Sequence, residues 1–423
     1  MKRISIPYLT LPVIMAAIVS ILPSCASDDP DGIQREPMPR KAIKLTEPVM
    51  GAAVDLVDFY YRFTLDMTGY VDAKGGGADR NVVVSPLSAA MSFAMAANGA
   101  DEDMRDGYAR YMGLRDMGGI NDFCQVLLEK LPEADNTSQF NIVNSVWVNG
   151  GRNLTLTDDY SYVVETKYMA DIIYRDFVND NEASLKAMND WCSSHTAAKL
   201  ERHFGALDPG TLAVMLNALH FKGLWSDVVF DSSRTVAATF HGRKGDSEAM
   251  MMESGCYKGL YASDGDFEFF RLHFGNDAFC IDVIVPEEGK QGTRLDARRI
   301  SALRKASKDT VLKCFLPRFS VSGNHDLSDM LKSIGKASLL SHDLTMFTTP
   351  ENGVVAYNQS VCFSIDETGA ETSSMTSGQL TDSMTGETNE TVVRVDRPFY
   401  FFISEFSTSA CILSGRISDL DIN

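Results

Sequence analysis

Several kinds of chemistry are missing from this 423-residue chain. It has no G-x-S-x-G elbow, no P-loop, no H-E-x-x-H and no dinucleotide fingerprint, and the glycine triplet at 75–77 lacks the strand–helix setting of a phosphate site. Its seven histidines (195, 203, 220, 241, 273, 325 and 342) show no close metal-ligand spacing, so neither a metal nor another cofactor is expected. No C-x-x-C occurs. Besides Cys25, seven cysteines stand singly at 124, 192, 256, 280, 314, 362 and 411, and read as buried free thiols, with one or two disulfides left open for an exported protein. A basic stripe is absent too: 39 Lys and Arg stand against 57 Asp and Glu, a net charge of −18. That balance argues against nucleic acid, and no basic helix between 101 and 131 offers a glycosaminoglycan site. Nothing here supports catalysis, and the chain does not read as an enzyme.

The one long apolar run is N-terminal. Lys2 and Arg3 precede mostly apolar residues 4–22, then "LPSC" ends at Cys25, the pattern of a secretory signal. This end resembles a bacterial lipobox, with Leu22 and Ser24 in suitable places. The expectation is a signal over 1–24, a lipid on Cys25 and a flexible polar tether over 25–46. The protein would then be an exported outer-membrane lipoprotein, the Asp28–Asp29 pair pointing toward the cell surface.

From residue 47 onward the pattern is α+β, as one large domain. Apolar residues at helical spacing run over 47–67, with further helices in 101–131, 157–170 and 184–200. "VVV" at 82–84 is a short buried strand before a helix with Ser85 as N-cap, Pro86 in the first turn and Gly99 at the end. Strands are expected at 140–148 and 211–223. Then come 235–241, 248–252, 268–274, 278–285, 311–321, 354–365, 391–395, 399–406 and 410–417, interrupted by one helix at 325–335.

Taken in order, several motifs resemble the serpin family. "NVVVSPLS" (81–88) is similar to the start of the family's shutter helix, with Ser85, Pro86 and Ser88. "NSVWVN" and "NALHFKGLWSDVVF" resemble two central-sheet strands, with Asn217, Phe221, Gly223 and Trp225 at the family's positions. "LPRFSV" resembles the strand bordering the insertion gap, "SIDETGAE" the reactive-loop hinge, and "DRPFYFFI" and "ACILSGRI" the closing strands. The resemblance implies three sheets, about nine helices and an exposed reactive loop at about 367–391. It also implies a monomer that traps a protease: cleavage of the loop forms an acyl-enzyme, and the loop inserts as a new strand of the large sheet. It further implies that Arg318 faces the hinge acid Glu367, and that Ser85, Ser88, Asn217 and Gln359 form the shutter, Gln359 standing where the family often has His. A non-inhibitory serpin, acting as a surface binding or carrier module, is the alternative.

The hinge, Glu367, Thr368, Gly369, Ala370, Glu371, Thr372, Ser373 and Ser374, can be read without the family. An inserted strand alternates its faces. With Ala370 inward, Thr372, Ser374, Thr376 and Gly378 follow it, all uncharged, and Glu371 points to water. Gly369 is the pivot. Thr372, Ser373 and Ser374 stand where many inhibitory members carry alanines. Seventeen residues counted from Glu367 end at Ser383, making Ser383–Met384 the expected scissile bond, with Leu380, Thr385 and Glu387 as alternatives. No Lys or Arg lies between Lys336 and Arg394. A trypsin-like target needs such a residue, so elastase-, subtilisin- or chymotrypsin-like proteases, or a cysteine protease, fit better.

Overall fold

The computed structural model describes residues 38–74, 80–195, 207–226, 230–370 and 390–420. The helical first half holds α1 (Glu47–Ala73), β1 (Val82–Val84), α2 (Pro86–Asn98), α3 (Glu102–Met112), α4 (Ile120–Lys130), β2 (Ser138–Asn149), α5 (Asp158–Lys167), β3 (Ala170–Arg175) and α6 (Asn181–His195). Strands then dominate: β4 (Thr211–Leu224), β5 (Val236–His241), β6 (Asp246–Glu253), β7 (Tyr257–Ser263), β8 (Phe267–Phe274) and β9 (Phe279–Pro286). After α7 (Ala297–Ala306) come β10 (Lys308–Pro317), β11 (Phe319–Asp326), α8 (Leu327–Ser333), β12 (Ser341–Leu344), β13 (Glu351–Asp366), β14 (Gly369–Ala370), β15 (Thr391–Arg394), β16 (Phe399–Glu405) and β17 (Cys411–Ile417).

One sheet has the order β11-β13-β14-β4-β2-β3, with β12 beside β13. The other is two sheets fused along β10, whose first half pairs with β7 and whose last three residues pair with β6. The three-sheet expectation is met in that form, and eight α-helices are present among the described residues. β4 is buried along nearly its whole length. One of its faces, with Ala213, Met215, Leu219 and Phe221, joins the main core; the other, with Val214 and Leu216, packs with Trp147 under Met188 and Cys192 of α6. Burial on both faces explains its near-continuous apolar sequence.

Four corrections stand against the sequence reading. Helix α7 is present, and Ala297, Ile300 and Leu303 at three-residue spacing behind the Asp296 cap were its signal. The run 311–321 is not one strand. It divides at Arg318, whose N–H bonds to Met250 O, and changes sheets there. The short strands β3, β7 and β12 have patterns too brief or too polar to stand out. The last part of the expected tether lies against the body. Met38 N–H donates to Asn136 Oδ1, Arg40 stacks on the Phe406 ring at 4.0 Å, and Ile43 N–H donates to Ser407 Oγ. Ile43 and Leu45 add apolar contact there, which offsets the entropy of ordering so polar a segment. All seven described cysteines are free thiols, five of them buried.

Candidate functional site

The site is the top of the seven-stranded sheet and the seam below it. β13 and β4 pair in parallel, from Val354 beside Thr211 to Val361 beside Leu219. Above that point the two strands part, and β14 lies between them. Ala370 pairs with Gly223 on one side and Ile365 on the other, Gly369 with Leu224 and Asp366, antiparallel to both neighbours. Two residues of the hinge are therefore already strand. Parallel ladders are slightly weaker than antiparallel ones. The seam is thus a weak line of the sheet, and a strand added along it would replace one parallel ladder by two antiparallel ones.

Gly369 is required where it stands. Its φ is 144°, and a Cβ there would lie 2.0 Å from Gly223 O. The turn before it is built by Asp366, whose Oδ1 accepts from Thr368 N–H at 2.8 Å and from Thr368 Oγ1 at 2.6 Å. Trp225 holds both sides of this turn. Its N–H donates to Thr368 O at 3.0 Å and its indole N–H to Asp366 O at 2.9 Å, while its ring stacks on Phe274 with centroids 4.8 Å apart.

Glu367 lies within the same turn. Arg318 Nη2 stands 2.5 Å from Glu367 Oε1, with the Arg side chain 45% and the Glu side chain 10% exposed. So exposed a cation limits the pair to about 1 kcal/mol. The Thr235 hydroxyl donates to the same carboxylate oxygen. Thr235 was not anticipated, since nothing local in the sequence marks a threonine 132 residues away.

Lower in the seam lie the polar shutter residues. Ser85 caps α2, its Oγ accepting from Ser88 N–H at 3.2 Å and donating to Ser88 Oγ at 2.7 Å; Pro86 opens the helix. Gln359 uses both amide atoms on Ser85: Oε1 accepts from Ser85 N–H, and Nε2 donates to Ser85 O, each at 2.8 Å. Asn217 Nδ2 donates to Asn144 Oδ1 at 2.8 Å, and Asn144 Nδ2 donates to Tyr168 O. Asn217 Oδ1 is buried without a partner. His325, opposite Gln359 on β11, bonds through Nε2 to Val83 O at 2.7 Å, and burial lowers its pKa to about 4. Asn144 and His325 were missed as site residues. His325 had been weighed only as a metal ligand, and no three-residue His, Cys, Asp or Glu group suited to a metal exists among the described residues.

Glu371, Thr372, Ser373, Ser374, Leu380, Ser383, Met384, Thr385, Glu387 and Cys25 lie outside the described residues. No helix among the described residues is long and apolar enough to cross a membrane.

Comparison with known proteins agrees with this geometry. The family model described as "Serpin (serine protease inhibitor)" matches residues 60–420. A serpin-like protein of Thermococcus kodakarensis is 28% identical over 87% of this chain and 86% of its own. A serine protease inhibitor of Cyanea capillata is 28% identical over 81% of this chain and 93% of its own. Mus musculus alpha-1-antitrypsin 1-2 is 26% identical over 80% of this chain and 83% of its own. Among solved structures, native tengpin, a thermophilic serpin, superposes with a TM-score of 0.71 at 21% identity, covering 91% of this chain and 97% of that one. A thyroxine-binding globulin in complex with thyroxine gives a TM-score of 0.73 at 19% identity, with 89% and 99% covered. At such identities the structures speak for the fold alone.

Proposed function

We propose that this chain, which belongs to the serpin family, traps a serine protease by inserting its own cleaved loop into the seam between β4 and β13. Protease inhibition is the general activity of the family, and relatives named as inhibitors match most of the chain. The observation that carries the reading is the double pairing of Gly369 and Ala370, which starts the new strand in the correct direction.

Continuing that pairing residue by residue supports a particular bond. In an inserted strand, twelve residues beyond Ala370, residue 382 would reach Thr211, the first residue of β4, to within the one-residue register shift of β4 beside Val354 and Val355. Ser383 is then the first residue with no partner on β4, which favours Ser383–Met384 over Leu380, Thr385 or Glu387. The protease serine attacks the Ser383 carbonyl carbon, the C–N bond to Met384 breaks, and the leaving amine takes a proton from the protease histidine. The ester to Ser383 remains while the loop inserts and carries the enzyme down the sheet. The absence of Lys and Arg around the bond supports an elastase-, subtilisin- or chymotrypsin-like target over a trypsin-like one.

The signal-like N-terminus supports display of the inhibitor on a membrane through a lipid on Cys25. Labelled palmitate incorporated by the wild type and lost in Cys25→Ser tests that part. For inhibition, the protein is incubated with elastase, subtilisin and trypsin, and the released peptide is weighed. A denaturation-resistant complex together with a peptide starting at Met384 is expected. Clean cleavage with no complex and no gain in heat stability would instead mark a non-inhibitory binding or carrier module.

A further inference from the structure

The turn between β8 and β9 holds two left-handed residues close together, Gly275 at φ 53° and Asp277 at φ 66°. For a residue other than glycine, such a backbone persists only where its surroundings hold it. Three segments do so here. From β4 and the residues after it, Leu224 O accepts from Gly275 N–H at 2.8 Å, Ser226 N–H donates to His273 O at 3.0 Å, and the Ser226 hydroxyl donates to Asp277 Oδ1 at 2.7 Å. From the connection after β16, Phe406 N–H donates to Ala278 O at 2.8 Å. From the approach to β2, Ala134 O accepts from Asn276 Nδ2 at 2.9 Å.

The strap of residues 38–43 runs over these same anchors. Met38 N–H donates to Asn136 Oδ1 at 2.8 Å, Arg40 stacks on the Phe406 ring at 4.0 Å with its Nη1 3.5 Å from Asp277 O, and Ile43 N–H donates to Ser407 Oγ at 2.9 Å. The hinge reaches the turn from another direction. Trp225, the residue before Ser226, stacks on Phe274 and donates to Thr368 O and Asp366 O. Strap and hinge thus meet at one strained turn.

We infer that the strap is a clasp on the hinge, acting through the β8–β9 turn. Asp277 is the positioning residue: its carbonyl faces Arg40, and its carboxylate fixes Ser226 beside Trp225. A packed chain of this kind couples two sites when both bias the same element. Docked, the strap keeps Trp225 on the turn from Asp366 to Thr368. Released, it lets that turn loosen, so that the seam opens sooner. That last consequence rests on the loop-insertion reading, whereas the clasp itself does not.

The test is hydrogen exchange of the full chain, read by mass spectrometry at 366–370 with β6 (246–253) as reference. Arg40→Ala should speed exchange at 366–370 about threefold and leave 246–253 unchanged. Ser226→Ala should do the same, and the double variant should match either single one. Asp277→Asn keeps an acceptor and tolerates the left-handed backbone, so it should exchange like the wild type, and Asp277→Ala like Ser226→Ala. Wild-type exchange in Arg40→Ala, equal acceleration at 246–253, or single effects that multiply in the double variant would each overturn the clasp. Conversion on warming to a more heat-stable form should also be faster in Arg40→Ala. A wild type that never converts is a separate result, and strikes the insertion reading alone.

Discussion

Gln359 on β13 and Ser85 at the cap of α2 exchange two hydrogen bonds, N–H to Oε1 and Nε2 to C=O, both 2.8 Å long and both buried. A single side chain thereby ties β13, one wall of the seam, to the helix beneath it. Gln359→Leu leaves the buried N–H of Ser85 without a partner and its C=O with the Ala89 N–H alone, at a cost of about 1–3 kcal/mol. Chemical denaturation should show this loss in the intact protein, and the variant should convert faster to the inserted form on warming.

Gly369 accepts no side chain at its φ of 144° and 2.0 Å clearance from Gly223 O. Gly369→Ala should expel β14 from the gap, destabilising the intact protein by about 1–3 kcal/mol. Limited proteolysis should then cut the hinge faster than in the wild type. An unchanged cutting rate would show that β14 does not protect it.

If the chain inhibits by loop insertion, Thr372→Arg should turn it into a substrate. If the loop inserts in the register of Gly369 and Ala370, residue 372 would fall opposite Phe221 and Phe363, both in the core, where an unpaired guanidinium is not tolerated. Cleavage by subtilisin should proceed while covalent complex disappears from a denaturing gel. Complex at wild-type yield would refute the assigned facing.

The half-buried His325 ring has its pKa lowered from 6.5 to about 4 by desolvation, opposed only by its bond to Val83 O. Between pH 6.5 and 4 the unfolded chain takes up a proton that the folded one refuses. Acid therefore erodes stability across that window and not below it, by up to about 3 kcal/mol. His325→Gln keeps a donor for Val83 O and removes the titration. Its unfolding free energy should fall less steeply than the wild type's from pH 6.5 to 4.

Arg40 stacks on Phe406 and its Nη1 reaches Asp277 O, while Asp277 Oδ1 accepts from Ser226, the residue after Trp225. Deleting residues up to 42 should lower the melting temperature by about 1–3 °C through lost contacts. Arg40→Ala alone should give a smaller drop. A full-length melting curve from the shortened chain would show that this segment contributes nothing to the fold.

Gly369 as the pivot of the hinge was legible as sequence, while the expectations for residues 371 onward fall outside the described residues. The alternation after Ala370 and the placement of Glu371 follow from the two-residue period of a strand, which needs no partner to be seen. The caps of α2, the long apolar β4 and the closing strands are local in the same sense. Thr235 beside Glu367 was not legible, nor was His325 beside Gln359, nor the docking of Met38, Arg40 and Ile43. Each joins segments far apart in the chain, with no periodicity to announce the meeting.

By itself, then, the order of residues determined which side chains share a face, where the longer strands and helices lie, and that one face of an alternating loop carries no ion. Only the assembled sheets decided how far that alternation has already entered the seam: Gly369 and Ala370 seated, Asn217 and Gln359 closed on each other below them, one carboxamide oxygen left empty. Facing is a property of neighbours along the backbone, whereas register arises between strands that meet only once the whole chain has folded.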